Sequence, residues 1–187
     1  GYSDADFSMV RLNTDGSLDT SFNPNTLNGL TVYTEGAATP VALDNDVVLT
    51  DADLAILNNE SGDYGGATLT LERVGGAVAD DVFSGSTRAS SVSLVLSEGV
   101  ASFSGTTIDS FTPSGLLVRT FTNFTAIATY TQSAGTLVLT FASGTTQAQL
   151  NGALSLLAYS NTSDAPPASV QISWTFSDGN TGAQGPD

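Results

Sequence analysis

The feature that most constrains this chain is the two-residue period of its apolar side chains. Val170, Ile172, Trp174 and Phe176 alternate with Gln171, Ser173 and Thr175. Leu69 and Leu71 alternate with Thr68, Thr70 and Glu72, and Leu137, Leu139 and Phe141 are set between Thr136, Val138 and Thr140. Successive side chains of a strand point to opposite faces, so this period marks strands with one buried face. Further candidates are Phe7–Leu12, Leu30–Tyr33, Val47–Thr50, Ser91–Leu96, Val100–Ser104, Leu116–Phe121 and Phe124–Tyr130. Turn-forming groups punctuate them: Thr14-Asp15-Gly16, Val74-Gly75-Gly76, Ser97-Glu98-Gly99, Pro113-Ser114-Gly115 and Ser133-Ala134-Gly135. Many short strands with turn signals at this spacing predict an all-β antiparallel β-sandwich.

One segment departs from the period. Thr145–Ala158 places Leu150, Leu154 and Leu157 at helical spacing behind Thr145 or Thr146 as a cap, which predicts a short helix packed on the sandwich. A second helical turn is expected after Asp51 and Asp53, through Leu54 and Leu57. Phe83–Ser91 and Thr106–Ser114 read as irregular, and Trp174 reads as core.

Charge narrows the chemistry. There are 19 acids against 4 bases, a formal charge of −15, and no His or Cys among the 187 residues. The bases are Arg11, Arg73, Arg88 and Arg119, so lysine is absent too. Such a chain has no thiolate, no disulfide, no imidazole base and no Schiff-base amine. Its charge opposes nucleic acid and anionic lipid. No apolar run approaches the roughly 18 residues of a membrane helix, so no membrane insertion is expected. The N-terminus has no signal-peptide pattern, so the chain reads as an excised module whose secretion signal, if it has one, lies outside it. Fifteen of the acids are Asp, a turn residue and a hard oxygen ligand, and with so few bases a dissolved cation, Ca2+, is the natural counter-charge.

Two resemblances add to this. The run Asp6-Phe7-Ser8-Met9-Val10-Arg11-Leu12-Asn13, continued by Asp15-Gly16-Ser17-Leu18-Asp19 to Phe22, resembles one unit of the delta-60 repeat of large secreted bacterial proteins. It divides the chain into a hairpin segment and linker over 1–29 and a β-sandwich over 30–187. The second part resembles the cadherin-like modules of giant, calcium-dependent bacterial surface adhesins of the RTX type. Its landmarks are Glu35-Gly36, then Val48-Leu49-Thr50-Asp51-Ala52-Asp53, then Ser177-Asp178-Gly179. That resemblance implies a calcium-stiffened domain at the bacterial cell surface, extracellular, working in cell adhesion. Its partners would be a peptide or glycan of a host or neighbouring cell and the adjacent modules of the same adhesin. Such a module would be expected to run on into a final strand after Gly185, whereas here Pro186 and Asp187 follow. Either that strand has been cut away or the module is organised differently, with the N-terminal hairpin over the vacated edge.

Strand polarity gives the acids a common place. In an antiparallel sandwich the start of the first strand and the ends of even-numbered strands share a pole. Glu35, Asp51, Asp53 and Asp178 are expected there, with Glu60 and Asp63 in the loop between the second and third strands. A bound Ca2+ would offset their mutual repulsion, so the candidate metal ligands are Glu35, Asp51, Asp53, Asp63 and Asp178. The competing reading of each is a turn Asp bonded to its own backbone. Asn13, Asp15 and Asp19 form a second candidate metal site, with a hairpin turn the favoured reading; Asp80 and Asp81 are a candidate second ligand pair, with a solvated pair the favoured reading; Asp164 reads as a loop ligand or a turn former. Asn59, Asn123 and Asn161 satisfy the glycosylation pattern. The chain reads as a ligand-binding adhesin module and not an enzyme. A structural spacer is the alternative, and a carboxylate-dependent glycoside hydrolase the second alternative, for which no carboxylate pairing stands out.

Overall fold

The computed structural model describes Leu27 and residues 31–88, 92–104, 106–111, 117–121 and 124–178. The expected N-terminal hairpin and the delta-60-like run lie outside the described residues, as does the chain after Asp178. Among the described residues the fold is an antiparallel, all-β sandwich with short helices.

The large sheet is built where the alternation is strongest. Strand β2 (Thr68–Arg73) lies between β10 (Thr136–Phe141) and β12 (Ile172–Ser177). Leu71 faces Leu137 on one side and Trp174 on the other, and Leu69 faces Leu139 and Phe176. These residues share one face and are all buried. The sheet continues through β9 (Thr125–Ser133), β6 (Val100–Ser104), β5 (Val92–Ser97) and β4 (Thr87–Arg88). The smaller sheet has the order β1 (Val41–Ala42), β11 (Leu157–Asn161), β3 (Asp81–Gly85). It supplies Phe83, Leu157 and Tyr159 to the core. A separate hairpin pairs β7 (Thr106–Phe111) with β8 (Leu117–Phe121), with a register shift between Ile108 and Ser110.

The chain passes from one sheet to the other at Ser86. Its N–H donates to the Leu156 carbonyl beside the small sheet, and its carbonyl accepts from Leu94 N of the large one. Strands that switch sheets make the corners of such sandwiches.

Helix α3 (Gln147–Leu154) starts as its sequence dictates. Thr146 accepts from Gln149 N while the Gln149 side chain returns to the Thr146 N–H, a complete capping box. Leu150, Ala153 and Leu154 face the core. Gly152 is close to the ring of Phe103, where a Cβ would lie 2.5 Å from Cζ. The helix therefore gains at this glycine the close approach that offsets its weak propensity.

Several expectations change. The helix ends at Leu154, and Leu157, expected on it, opens β11. Leu157–Asn161 pairs β1 along one edge and β3 along the other, and tertiary pairing overrides local spacing. Val47–Thr50 forms no ladder. Its backbone partners are side chains of α3: Leu49 N donates to Asn151 Oδ1, the Leu49 carbonyl accepts from Gln147, and Ser155 Oγ reaches the Val47 carbonyl. Residues 31–33 are likewise not in a ladder, and the two stretches expected to be irregular contain β3, β4 and β7.

Candidate functional site

Both ends of β2 gather loops, and they differ in chemistry. At the Thr68 end lie the residues before β2, the turn after β10, the segment from Asp51 and the end of β12.

Asp51 is the N-cap of α1 (Ala52–Ala55), with an extended backbone. It is only 1% exposed. Its Oδ1 accepts from Asp53 N and Leu54 N, each at 3.0 Å. Its own N–H donates to the hydroxyl of the fully buried Tyr64 at 3.3 Å. That hydroxyl in turn bonds Gln147 Oε1, and Gln147 Nε2 holds the Leu49 carbonyl and Asn151 Oδ1. A chain of polar groups thus ties the 49–51 segment to α3.

Asp63 sits beside it, its N–H on the Leu54 carbonyl at 3.1 Å. Its Oδ1 accepts from Gly65 N at 3.0 Å and Gly144 N at 2.8 Å, joining the loop before β2 to the turn after β10. Asp53 is exposed. Asp178 is half-buried and follows Ser177, the partner of Thr68, while Phe176 just before it meets Tyr64 edge-on at 6.4 Å. Asp51, Asp53, Asp63 and Asp178 therefore lie at one end.

Glu35 does not join them. It lies in an exposed turn closed by Ala37 N on the Thr34 carbonyl. The neighbouring Tyr33 donates its hydroxyl to the Asn161 carbonyl and packs edge-on against Tyr159 at 5.8 Å. Asn161 belongs to the opposite end, where it meets Asp81 and Arg73. The strand-polarity argument placed Glu35 with the others by assuming a first strand within residues 30–43. The ladder contains only Val41–Ala42 of it, and the chain turns at 34–37 on the far side. Among the described residues no three acidic side chains group as a metal-holding set. Asp51 and Asp63 each use Oδ1 to hold backbone amides. As they are arranged, Glu35 lies apart from the other four carboxylates.

Between α1 and Asp63 the chain makes an excursion that sequence reasoning missed. Residues 56–61 are all exposed. Asn58, Asn59 and Glu60 all have left-handed backbones, with φ of 51°, 53° and 64°. Asn visits this region readily and Glu does not, so α2 (Leu57–Glu60) is a strained left-handed turn. It is pinned at its base by Gly62 N on the Leu57 carbonyl, Ser61 N on the Asn58 carbonyl, and Gln147 N on the Ser61 carbonyl. The one visible signal was Asn58-Asn59 followed by Gly62.

The other end holds the second missed feature. Asp81, expected as solvated, is 2% exposed. It accepts from Arg73 Nε at 2.9 Å and Nη2 at 2.5 Å, from the Tyr159 hydroxyl at 2.7 Å and from Asn161 Nδ2 at 2.8 Å. Burial, then the bond to Asp81, push the Tyr159 hydroxyl above its usual pKa, and the bond to Asp81 raises Arg73. Asp81 shares the buried face with Phe83, a period-two signal that was present in the sequence. Asn161 is thereby committed and 8% exposed, whereas Asn59 stands on the exposed turn.

An acidic pair lies at Asp44 and Asp46. The Asp46 carboxyl is raised above its ordinary 3.8, first by its side-chain hydrogen bond with Asp44 and then by the charge of that neighbour. A carboxyl with a raised folded pKa binds more protons folded than unfolded in the window above 3.8. Stability therefore falls as pH rises through that window, and the loss persists above it. Asp46→Asn should melt higher than the parent protein at pH 7 and no higher at pH 3, measured by thermal denaturation. A gap of equal size at both pH values would show that charge is not its source.

Comparison with family models, curated proteins and solved structures returns no match. The chemistry of the site is therefore argued from its residues.

Proposed function

We propose that this chain is an extracellular recognition module of the adhesin type, attaching to a peptide or glycan on another cell's surface through the loop end that carries Asp51, Asp53, Asp63 and Asp178. The observation that carries the reading is the pinned, exposed excursion of residues 56–61 at that end of a sealed sandwich. A spacer needs no such loop, and binding residues concentrate on loops held by rigid scaffolds. The resemblance to cadherin-like modules of bacterial adhesins agrees with this reading and supplies its setting at the cell surface.

Ca2+ belongs to the same reading as a weakly held ion. The affinity expected is that of extracellular modules, about 10⁻⁴–10⁻³ M. At a tenfold excess over Kd the ion would stabilise the fold by about 1.4 kcal/mol. Melting temperature should rise with millimolar Ca2+, return on EDTA, and respond less in Asp53→Ala. An unchanged melting temperature would remove calcium and leave the recognition reading standing. The recognition reading itself is tested on peptide and glycan arrays with and without Ca2+, where an array flat in both conditions favours the spacer.

A further inference from the structure

The turn beside the acids presents exposed apolar side chains where it begins. Ile56 is 68% exposed and Leu57 45%, next to each other in sequence. Exposed apolar residues scattered singly are ordinary on protein surfaces. Here they are consecutive, and acids flank them on both sides: Asp53 before, Glu60 and Asp63 after. The two arginines with described side chains are engaged elsewhere, Arg73 with Asp81 and Arg88 with the carbonyls of Asn45 and Ser155. Nothing basic among the described residues neutralises this rim.

We propose that Ile56 and Leu57 are the anchor of a docking surface for a basic partner protein, one offering an apolar pocket bordered by Lys or Arg. This rests on the recognition reading above and names its partner chemistry. Three physical points carry it. The apolar pair gives the non-directional contact, because its burial removes two branched side chains from water. The acids around it give orientation and speed, since complementary charge steers encounter and rejects like-charged surfaces. The left-handed turn is already held by the bonds of Ser61, Gly62 and Gln147, so little ordering remains for the moment of binding. A second copy of this chain is a poor occupant: each copy carries −15 and no lysine.

The test uses fluorescent peptides and the whole chain. One peptide has a Leu/Phe centre with flanking lysines, a second replaces the lysines with glutamates, and a third keeps the lysines and replaces the apolar centre with serines. Binding is read by anisotropy at low and at physiological salt. The first peptide should bind, weakening as salt rises, and the other two should bind at least about tenfold more weakly. The double variant Ile56→Ser/Leu57→Ser should lose about tenfold or more toward the first peptide while keeping its melting temperature, because both side chains are exposed. Glu60→Gln with Asp53→Asn should flatten the salt dependence. Equal binding of the serine-centred peptide, or full binding by Ile56→Ser/Leu57→Ser, overturns the docking surface. Array ligands bound equally well by that variant also overturn it while leaving the recognition reading intact. A chain that binds nothing on any array or peptide defeats both.

Discussion

Asp81→Ala should destabilise the fold by about 3–5 kcal/mol. Asp81 is the acceptor for a guanidinium, a phenol and a carboxamide at once, and its side chain is fully buried. Its removal strands Arg73, 18% exposed, beside the hydroxyl of Tyr159 and the amide of Asn161. A buried charge without its partner costs far more than the intact pair contributes. The loss would also loosen the joint between sheets, because Arg73 lies on β2 and Asp81, Tyr159 and Asn161 on β3 and β11. Urea denaturation would report it as a lower midpoint with an unchanged slope. Asp81→Asn should lose less, since it keeps an oxygen for the hydroxyl and the amide. The double replacement Arg73→Met/Asp81→Leu should recover much of the loss, because it removes both charges together. If Asp81→Ala unfolded at the parent midpoint, the four-residue network would contribute nothing to stability.

Gly85→Ala should be the second large effect, about 3 kcal/mol. A Cβ on Gly85 would lie 2.0 Å from the Leu94 carbonyl oxygen and 2.6 Å from its carbon, atoms of the backbone that have no rotamer to escape into. Gly85 pairs with Leu157 in the small sheet and stands one residue before Ser86, where the chain crosses to the large sheet. The added methyl group would push β3 away from β5 at the corner of the sandwich. The loss should appear as reduced thermal stability together with faster amide exchange at Leu94 N and Ser86 N, the bonds that span the corner. Gly76→Ala is the control. Its Cβ would meet nothing within 4 Å, so only its left-handed backbone, at φ +121°, opposes the change. A loss at Gly85 no larger than that at Gly76 would show that the close approach to Leu94 relaxes at little cost.

Legibility in the sequence followed the strength of local pattern. β2 and β12 alternate without interruption, and β10 is broken only by Val138; all three were readable, as was the burial of Trp174 at 4% exposure. The start of α3 was readable because a capping box is a local chemical device. Its end was not: Leu157 fits a helical stripe as well as a strand, and only pairing with Gly85 decides between them. Val47–Thr50 looks like a strand, yet its backbone found Gln147, Asn151 and Ser155, residues about a hundred positions away.

The acids show the same division. Their types and turn positions follow from the sequence, and strand direction was enough to bring Asp51, Asp53, Asp63 and Asp178 to one end. Direction does not say where a carboxylate points. Asp51 points inward to cap α1, Asp63 ties two glycine amides, and Glu35 is carried to the other end by a turn that no periodicity announces. The sequence by itself determined an acidic, antiparallel sandwich without thiol, imidazole or amine chemistry, because period and composition are properties of neighbours along the chain. Only the tertiary structure decided that Asp81 is buried and paired, that the chain switches sheets at Gly85–Ser86, and that Ile56 and Leu57 stand exposed on a pinned left-handed turn. Each of these depends on which distant backbone or side chain arrives to make the bond, and that is settled by packing.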